Sequence, residues 1–88
     1  MKKHLVINAN DILIADSIIN YVVLTHPVVR ADLFSKRKTT PIANARAEAM
    51  FQIRSQLKWS YPKIGKFFDK DHSTCLYAIK RHMKRINP

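Results

Sequence analysis

Glycine and cysteine each occur once in these 88 residues, and acidic side chains occur only six times. With Gly65 as its one glycine, the chain cannot build a phosphate-cradling loop of the G-x-x-x-x-G-K-[ST] type, so neither nucleotide binding nor an ATPase is expected. A single Cys75 leaves no internal disulfide. It falls on the apolar side of a helical pattern and reads as a small buried thiol in a reducing compartment. Long hydrophobic runs are missing as well. Met1-Lys2-Lys3-His4 imitates the basic start of a signal peptide, but Asn8, Asn10, Asp11 and Asp16 interrupt the apolar stretch that follows. Neither an export signal nor a membrane span fits, and a cytoplasmic chain without a membrane partner is expected. His72, Cys75 and His82 lack paired ligand spacing, so no metal is expected. Asp69, Asp71 and His72 are the sole candidates for a hydrolytic centre. They form no acid pair with metal spacing, and no nucleophile has a recognisable base, so the chain is read as neither an enzyme nor a cofactor binder.

Cations, in contrast, are plentiful and unevenly placed. Residues 1–34 set Lys2, Lys3 and Arg30 against Asp11, Asp16 and Asp32 and are neutral. Residues 35–88 set 13 lysines and arginines against Glu48, Asp69 and Asp71, so the whole net charge of +10 lies there. A neutral front and a strongly basic remainder point to a polyanion contacted by one side of a single domain spanning 1–88. A hydrophobic content of 47% with little glycine argues for a compact, helix-rich chain.

Periodicity then places the elements. Residues 1–9, with Leu5, Val6 and Ile7, form an arm whose conformation the pattern leaves open. Residues 10–34 supply core helices. Asn10 or Asp11 caps a helix that Pro27 stops, with Ile12, Ala15, Ile19, Val22 and Val23 in one stripe widened by Ile14, Ile18 and Tyr21. So wide an apolar surface marks a central core helix, or one that also meets a partner chain, as in a homodimer. Val28, Val29, Leu33 and Phe34 close the core through a helical turn. Residues 35–40, Ser-Lys-Arg-Lys-Thr-Thr, are a basic loop. Residues 41–58 form a helix opened by Thr40-Pro41, with Ala45, Ala49, Ile53 and Leu57 facing inward beside Met50.

Residues 60–86 carry the chemistry. Ser60 caps a short helix with Pro62 in its first turn and Ile64, Phe67 and Phe68 on one side. Asp69-Lys70-Asp71 breaks it, and a second helix starts at His72. Asp71 is placed to cap that helix, with Cys75, Leu76, Ile79, Met83 and Ile86 on its buried side. The polar His72, Ser73 and Thr74 crowd its start, and Lys80, Arg81, Lys84 and Arg85 follow, the last two as a solvated face. This is a helix-turn-helix pattern of the kind that reads DNA. The expected fold is all-α, a bundle of about five helices.

Ile64-Gly65, Phe68 and Asp71-His72-Ser73-Thr74, preceded by the Ser-Lys-Arg-Lys loop, resemble the C-terminal DNA-binding domain of DnaA, the bacterial replication initiator. The likeness runs from about Asp11 to Arg85. It implies a DnaA-like, Trp-repressor-like helical fold on a short asymmetric duplex box. By position it implies that Lys38 enters the minor groove, with Arg37 and Thr39 near the backbone. Arg46, Asp71, His72 and Ser73 would meet base edges in the major groove. Thr74, Arg54, Tyr61, Pro62 and Arg81 would hold the sugar-phosphate backbone. The family usually has arginine where Lys38 stands and a glycine-containing turn where Asp69-Lys70 stand. Together these imply a stand-alone, nucleoid-associated reading head that binds double-stranded DNA as a small transcription or replication regulator. The competing reading is a protein-interaction module that modulates the host initiator or another DNA-bound factor, suggested by the apolar first helix.

Overall fold

A computed structural model describes residues 7–87, so most of the arm assigned to residues 1–9 lies outside the described residues. Five helices follow one another: α1 Ala9–Thr25, α2 Arg30–Phe34, α3 Thr40–Leu57, α4 Tyr61–Phe68 and α5 His72–Ile86. No strand occurs among the described residues.

Each start has a local cause. α1 is capped earlier than the expected Asn10 or Asp11, by Asn8, whose side-chain oxygen accepts from Asp11 N at 2.8 Å. That frees Asp11, whose carboxylate accepts from Trp59 Nε1 at 3.1 Å and faces Lys63 Nζ at 4.0 Å. In α2, Asp32 Oδ2 accepts from Val29 N at 3.0 Å. Ser60 caps α4 by accepting from Lys63 N. α3 and α4 both end on left-handed residues, Lys58 at φ 58° and Asp69 at φ 56°. In each case the helix terminates without the glycine that usually takes this conformation.

α3 is the central element, packed against α1 on one side and α5 on another, with α2 and α4 closing the ends. Its Ala45, Ala49, Met50 and Ile53 are buried, as the stripe required, and Ala45 and Ala49 let the neighbouring helices come close. An aromatic chain ties α4 to α2. Phe34 stacks on Phe68 with centroids 5.3 Å apart, Phe67 meets Phe34 and Phe68 edge-on, and Trp59 meets Phe67 at 5.6 Å. Such pairs contribute about 0.5–1.5 kcal/mol each beyond their buried area.

Six expectations of burial are corrected. Ile12 and Val29 are exposed, because α1 buries Ala15, Ile18, Ile19 and Val22 and the turn before α2 buries Val28 instead. Met83 and Ile86 are exposed too, since α5 turns Cys75, Ile79 and His82 inward. Leu76 and Leu57 are only partly covered. Burial pushes the Cys75 thiol up to about 11, so it stays protonated and unreactive near neutral pH.

Gly65 is where the turn between α4 and α5 folds back. A Cβ there would lie 2.4 Å from Lys70 O and 3.4 Å from His72 N, both main-chain atoms that cannot swing aside. Gly65→Ala is therefore expected to cost about 1–3 kcal/mol, read as a lower urea midpoint.

His82 lies in the core beside Phe51, ring centroids 5.0 Å apart, and its Nδ1 has no hydrogen-bond partner among the described residues. Burial lowers its pKa, opposed by Glu48 and reinforced by Arg85 and His26. Above the ordinary histidine value of about 6.5 it is neutral in both folded and unfolded chains. Below that value the unfolded chain takes up a proton that the folded chain resists, so stability falls as pH falls. Melting curves between about pH 7.5 and 5 should show this decline, and His82→Phe should flatten it.

Candidate nucleic-acid interface

The start of α5, the 35–39 loop and the first half of α3 meet along one surface. Asp71, His72, Ser73 and Thr74 are all exposed, as are Lys36, Arg37, Lys38 and Thr39. One groove of about 430 Å³ is lined by Lys36, Lys38, Arg46, Asp69, Lys70, Asp71 and Thr74. A second, of about 440 Å³, is lined by Lys38, Ala43, Arg46, Thr74, Tyr77 and Arg81. Lys38, Arg46 and Thr74 belong to both, so the two run together into one concave, cationic track.

Asp71 occupies the N-cap position of α5, and its carbonyl accepts from Cys75 N at 3.2 Å. Its carboxylate, however, makes no capping hydrogen bond. The side chain that sequence spacing assigned to capping is turned outward, and the first-turn N–H groups of α5 are not capped by it. Positive dipole and N–H groups at such an end suit an anionic oxygen, and Thr74 adds a hydroxyl there. Thr39 stands similarly at the start of α3, its hydroxyl unused in capping.

The loop is held from its root. Arg37 N donates to Ser35 Oγ at 3.2 Å, and the Arg37 guanidinium lies 3.7 Å from Asp32 Oδ1. Arg46, expected at a base edge, is 6% exposed and has other partners. Its Nε donates to Leu33 O at 2.9 Å, and its Nη2 donates to Asp32 O at 2.8 Å and Ser35 O at 2.9 Å. Lys70 Nζ, from the turn before α5, donates to the same Ser35 oxygen at 2.6 Å. Burial lowers the pKa of both cations, partly offset for Arg46 by Asp32, while for Lys70 the neighbouring Arg46 adds to the lowering.

A separate cluster holds other candidates. Arg54 donates to Trp59 O at 2.7 Å and lays its guanidinium 4.0 Å from the Tyr61 ring centroid. The pair shares a groove of about 450 Å³ with Ser55, Lys58 and Met83, and Pro62 is exposed in the first turn of α4 beside it. Arg81 reaches Ala43 O at 3.5 Å. The structure thus gathers Lys38, Asp71, Thr74 and Arg81 along one track, with Arg54, Tyr61 and Pro62 in a second group. Sequence reasoning missed Tyr77, Lys36 and Lys70. Tyr77 is 67% exposed, three residues after Thr74 and four before Arg81, a helical spacing that could have flagged it.

The model of the bacterial DnaA protein helix-turn-helix matches residues 15–81. The chain belongs to that family. Among curated relatives, the chromosomal replication initiator protein DnaA of Xanthobacter autotrophicus is 36% identical over 67 residues, 75% of this chain and 13% of the relative. That of Clavibacter sepedonicus is 29% identical over 82 residues, 92% of this chain and 17% of the relative. That of Dechloromonas aromatica is 43% identical over 51 residues, 57% of this chain and 11% of the relative. The chain therefore spans less than a fifth of the length of these initiators. No solved structure matches it significantly. No helix among the described residues is long and apolar enough to cross a membrane, and no group of metal-ligating side chains occurs among them.

The hydrogen bonds of Arg46 generate a prediction. Arg46→Ala takes the guanidinium from three carbonyls at the root of the basic loop, of which Ser35 O alone keeps a cation, Lys70, a loss of about 2–3 kcal/mol in stability. Amide exchange across residues 35–39 should quicken, and Arg46→Lys should restore only part, because an ammonium cannot span carbonyls as a planar fork does. Unchanged exchange in the alanine variant would show that Arg46 does not hold the loop.

Proposed function

We propose that this chain is a sequence-specific reader of double-stranded DNA, serving as a small transcription or replication regulator. One observation carries it: the uncapped Asp71 carboxylate and Thr74 at the exposed start of α5 share a groove with Lys38 of the basic loop. Asp71 accepts from an exposed base amino group, of cytosine or adenine, in the major groove. His72 offers a ring for a thymine methyl and a nitrogen for hydrogen bonding, and Ser73 donates or accepts. Thr74 and the first-turn N–H groups of α5 take a phosphate. Lys38 enters the adjoining minor groove, where its hydrated ammonium discriminates less than an arginine would. Arg37, Thr39 and Arg81 flank the same strands, and Arg54, Tyr61 and Pro62 hold the backbone on the other side of the helix-turn-helix. Arg46 enters this account twice: its Nε and Nη2 fix the loop from within the protein, and its place in both grooves leaves Nη1 to meet a base edge. The family membership supports DNA as the partner, and the charge confined to residues 35–88 supports a one-sided contact.

The test is fluorescence anisotropy on duplexes recovered by selection from random sequence, against competitor DNA. Binding should weaken with salt at a log–log slope of around −4 to −7, as about five to eight phosphates are neutralised. Asp71→Ala should cost about 1–3 kcal/mol on the selected box and little on scrambled duplex, whereas Arg54→Ala should weaken both alike. Equal affinity for selected and scrambled duplexes would refute the reading.

A further inference from the structure

The outer side of α1 is apolar without being part of the core. Leu24 is 85% exposed, Leu13 67%, Tyr21 55% and Ile14 42%, while Ala15, Ile18, Ile19 and Val22 face the interior. Asn10, Ile14, Ser17, Tyr21 and Leu24 recur at alternating steps of four and three, the spacing of a helix-pairing seam, with Leu13 on its flank. Beside that seam a groove of about 360 Å³ runs between α1 and α3, lined by Ile14, Ser17, Ile18, Tyr21, Gln52 and Gln56.

We infer that this face binds α1 of a second copy of the chain, in an antiparallel pair crossing at Ser17. Three observations select that occupant. First, charge: α1 contains no lysine or arginine, and its two carboxylates are engaged within the chain, Asp11 by Trp59 and Lys63 and Asp16 by Arg30. The whole excess of +10 lies in residues 35–88, so two copies meet with least repulsion through this neutral face of α1. Second, self-complementarity: Leu13 and Tyr21 stand equally far either side of Ser17. A two-fold axis there sets Leu13 of each copy beside Tyr21 of the other, at the mouth of the α1–α3 groove. The small serine at the crossing lets the backbones come close. Third, placement: α3 lies between α1 and α5, so the pair leaves both α5 starts facing outward. The dimer would present two reading surfaces pointing away from each other and could join two separate duplex sites.

Sedimentation of the full 88-residue chain without DNA tests this apart from any DNA reading. The mass should rise from 10.2 kDa toward twice that value between about 5 and 500 µM, in the range of a micromolar association. Leu13→Lys with Leu24→Lys should stay monomeric at every concentration, with unchanged circular dichroism and melting temperature because both positions are exposed. Under mild oxidation, Ser17→Cys should give a disulfide-linked dimer far in excess of that from Ser55→Cys, an exposed position on α3 away from this seam, while buried Cys75 stays silent. A wild-type chain that remains monomeric throughout would overturn the inference. So would a dimer that survives the double lysine substitution, or Ser17→Cys cross-linking no better than Ser55→Cys.

Discussion

Two cations on one carbonyl oxygen hold the interface together. Ser35 O accepts from Arg46 Nη2, on the central helix, and from Lys70 Nζ, in the turn that aims α5. Loop, central helix and helix-turn-helix are thereby pinned at one atom. Hydrogen bonds from charged donors contribute about 1.5–3 kcal/mol each, roughly twice a neutral one. Against that stands the cost of taking a guanidinium out of water, visible in the lowered Arg46 pKa. The arrangement pays by precision: Ser35, at the root of the basic loop, is tied to the turn before α5, the spacing that the proposed contact with two grooves of one duplex would need.

Lys70 could not have been assigned this task from its place in the chain. It follows Asp69, the left-handed residue that ends α4, and this conformation sends the turn back over Gly65. The absent Cβ lets Lys70 O come within what would be 2.4 Å of a methyl group, and that approach carries the Lys70 side chain toward Ser35. Gly65 and Ser35 are thirty residues apart, yet the one makes the contact at the other geometrically accessible.

Much of the scaffold was legible because local rules were obeyed. Ser60 capping before Pro62, the inward stripe of α3 and a helix beginning at His72 each follow from spacing within one or two turns. What was not legible depended on partners far away in sequence. Arg46 looked like any exposed arginine on an alanine-rich helix until α2 turned three carbonyls toward it. His82 stood out in the sequence only as a metal ligand without paired spacing, yet Phe51 and the interior take it while Met83 goes outward. Trp59 and Asp11 are 48 residues apart, and neither alone announces the bond that pins the start of α1 to the α3–α4 junction. The breadth of the apolar pattern on α1 was legible, but helical periodicity could not say which half the core would use.

Asp71 is the most telling side chain of the proposed interface because it is costly there. A carboxylate on a surface meant for a polyanion weakens every encounter with phosphate, and as a simple helix cap it would have offset that cost by satisfying an N–H. It forgoes the capping bond and faces the groove. Its repulsion applies to any duplex, whereas its hydrogen bond is made only where a base amino group stands opposite. The difference between right and wrong sequences therefore widens even as affinity for all of them falls. The lysines and arginines around it, from Lys36 and Lys38 to Arg81, supply sequence-independent attraction in surplus, so the surface can carry Asp71, beside Asp69, as an acid whose effect is choice rather than strength.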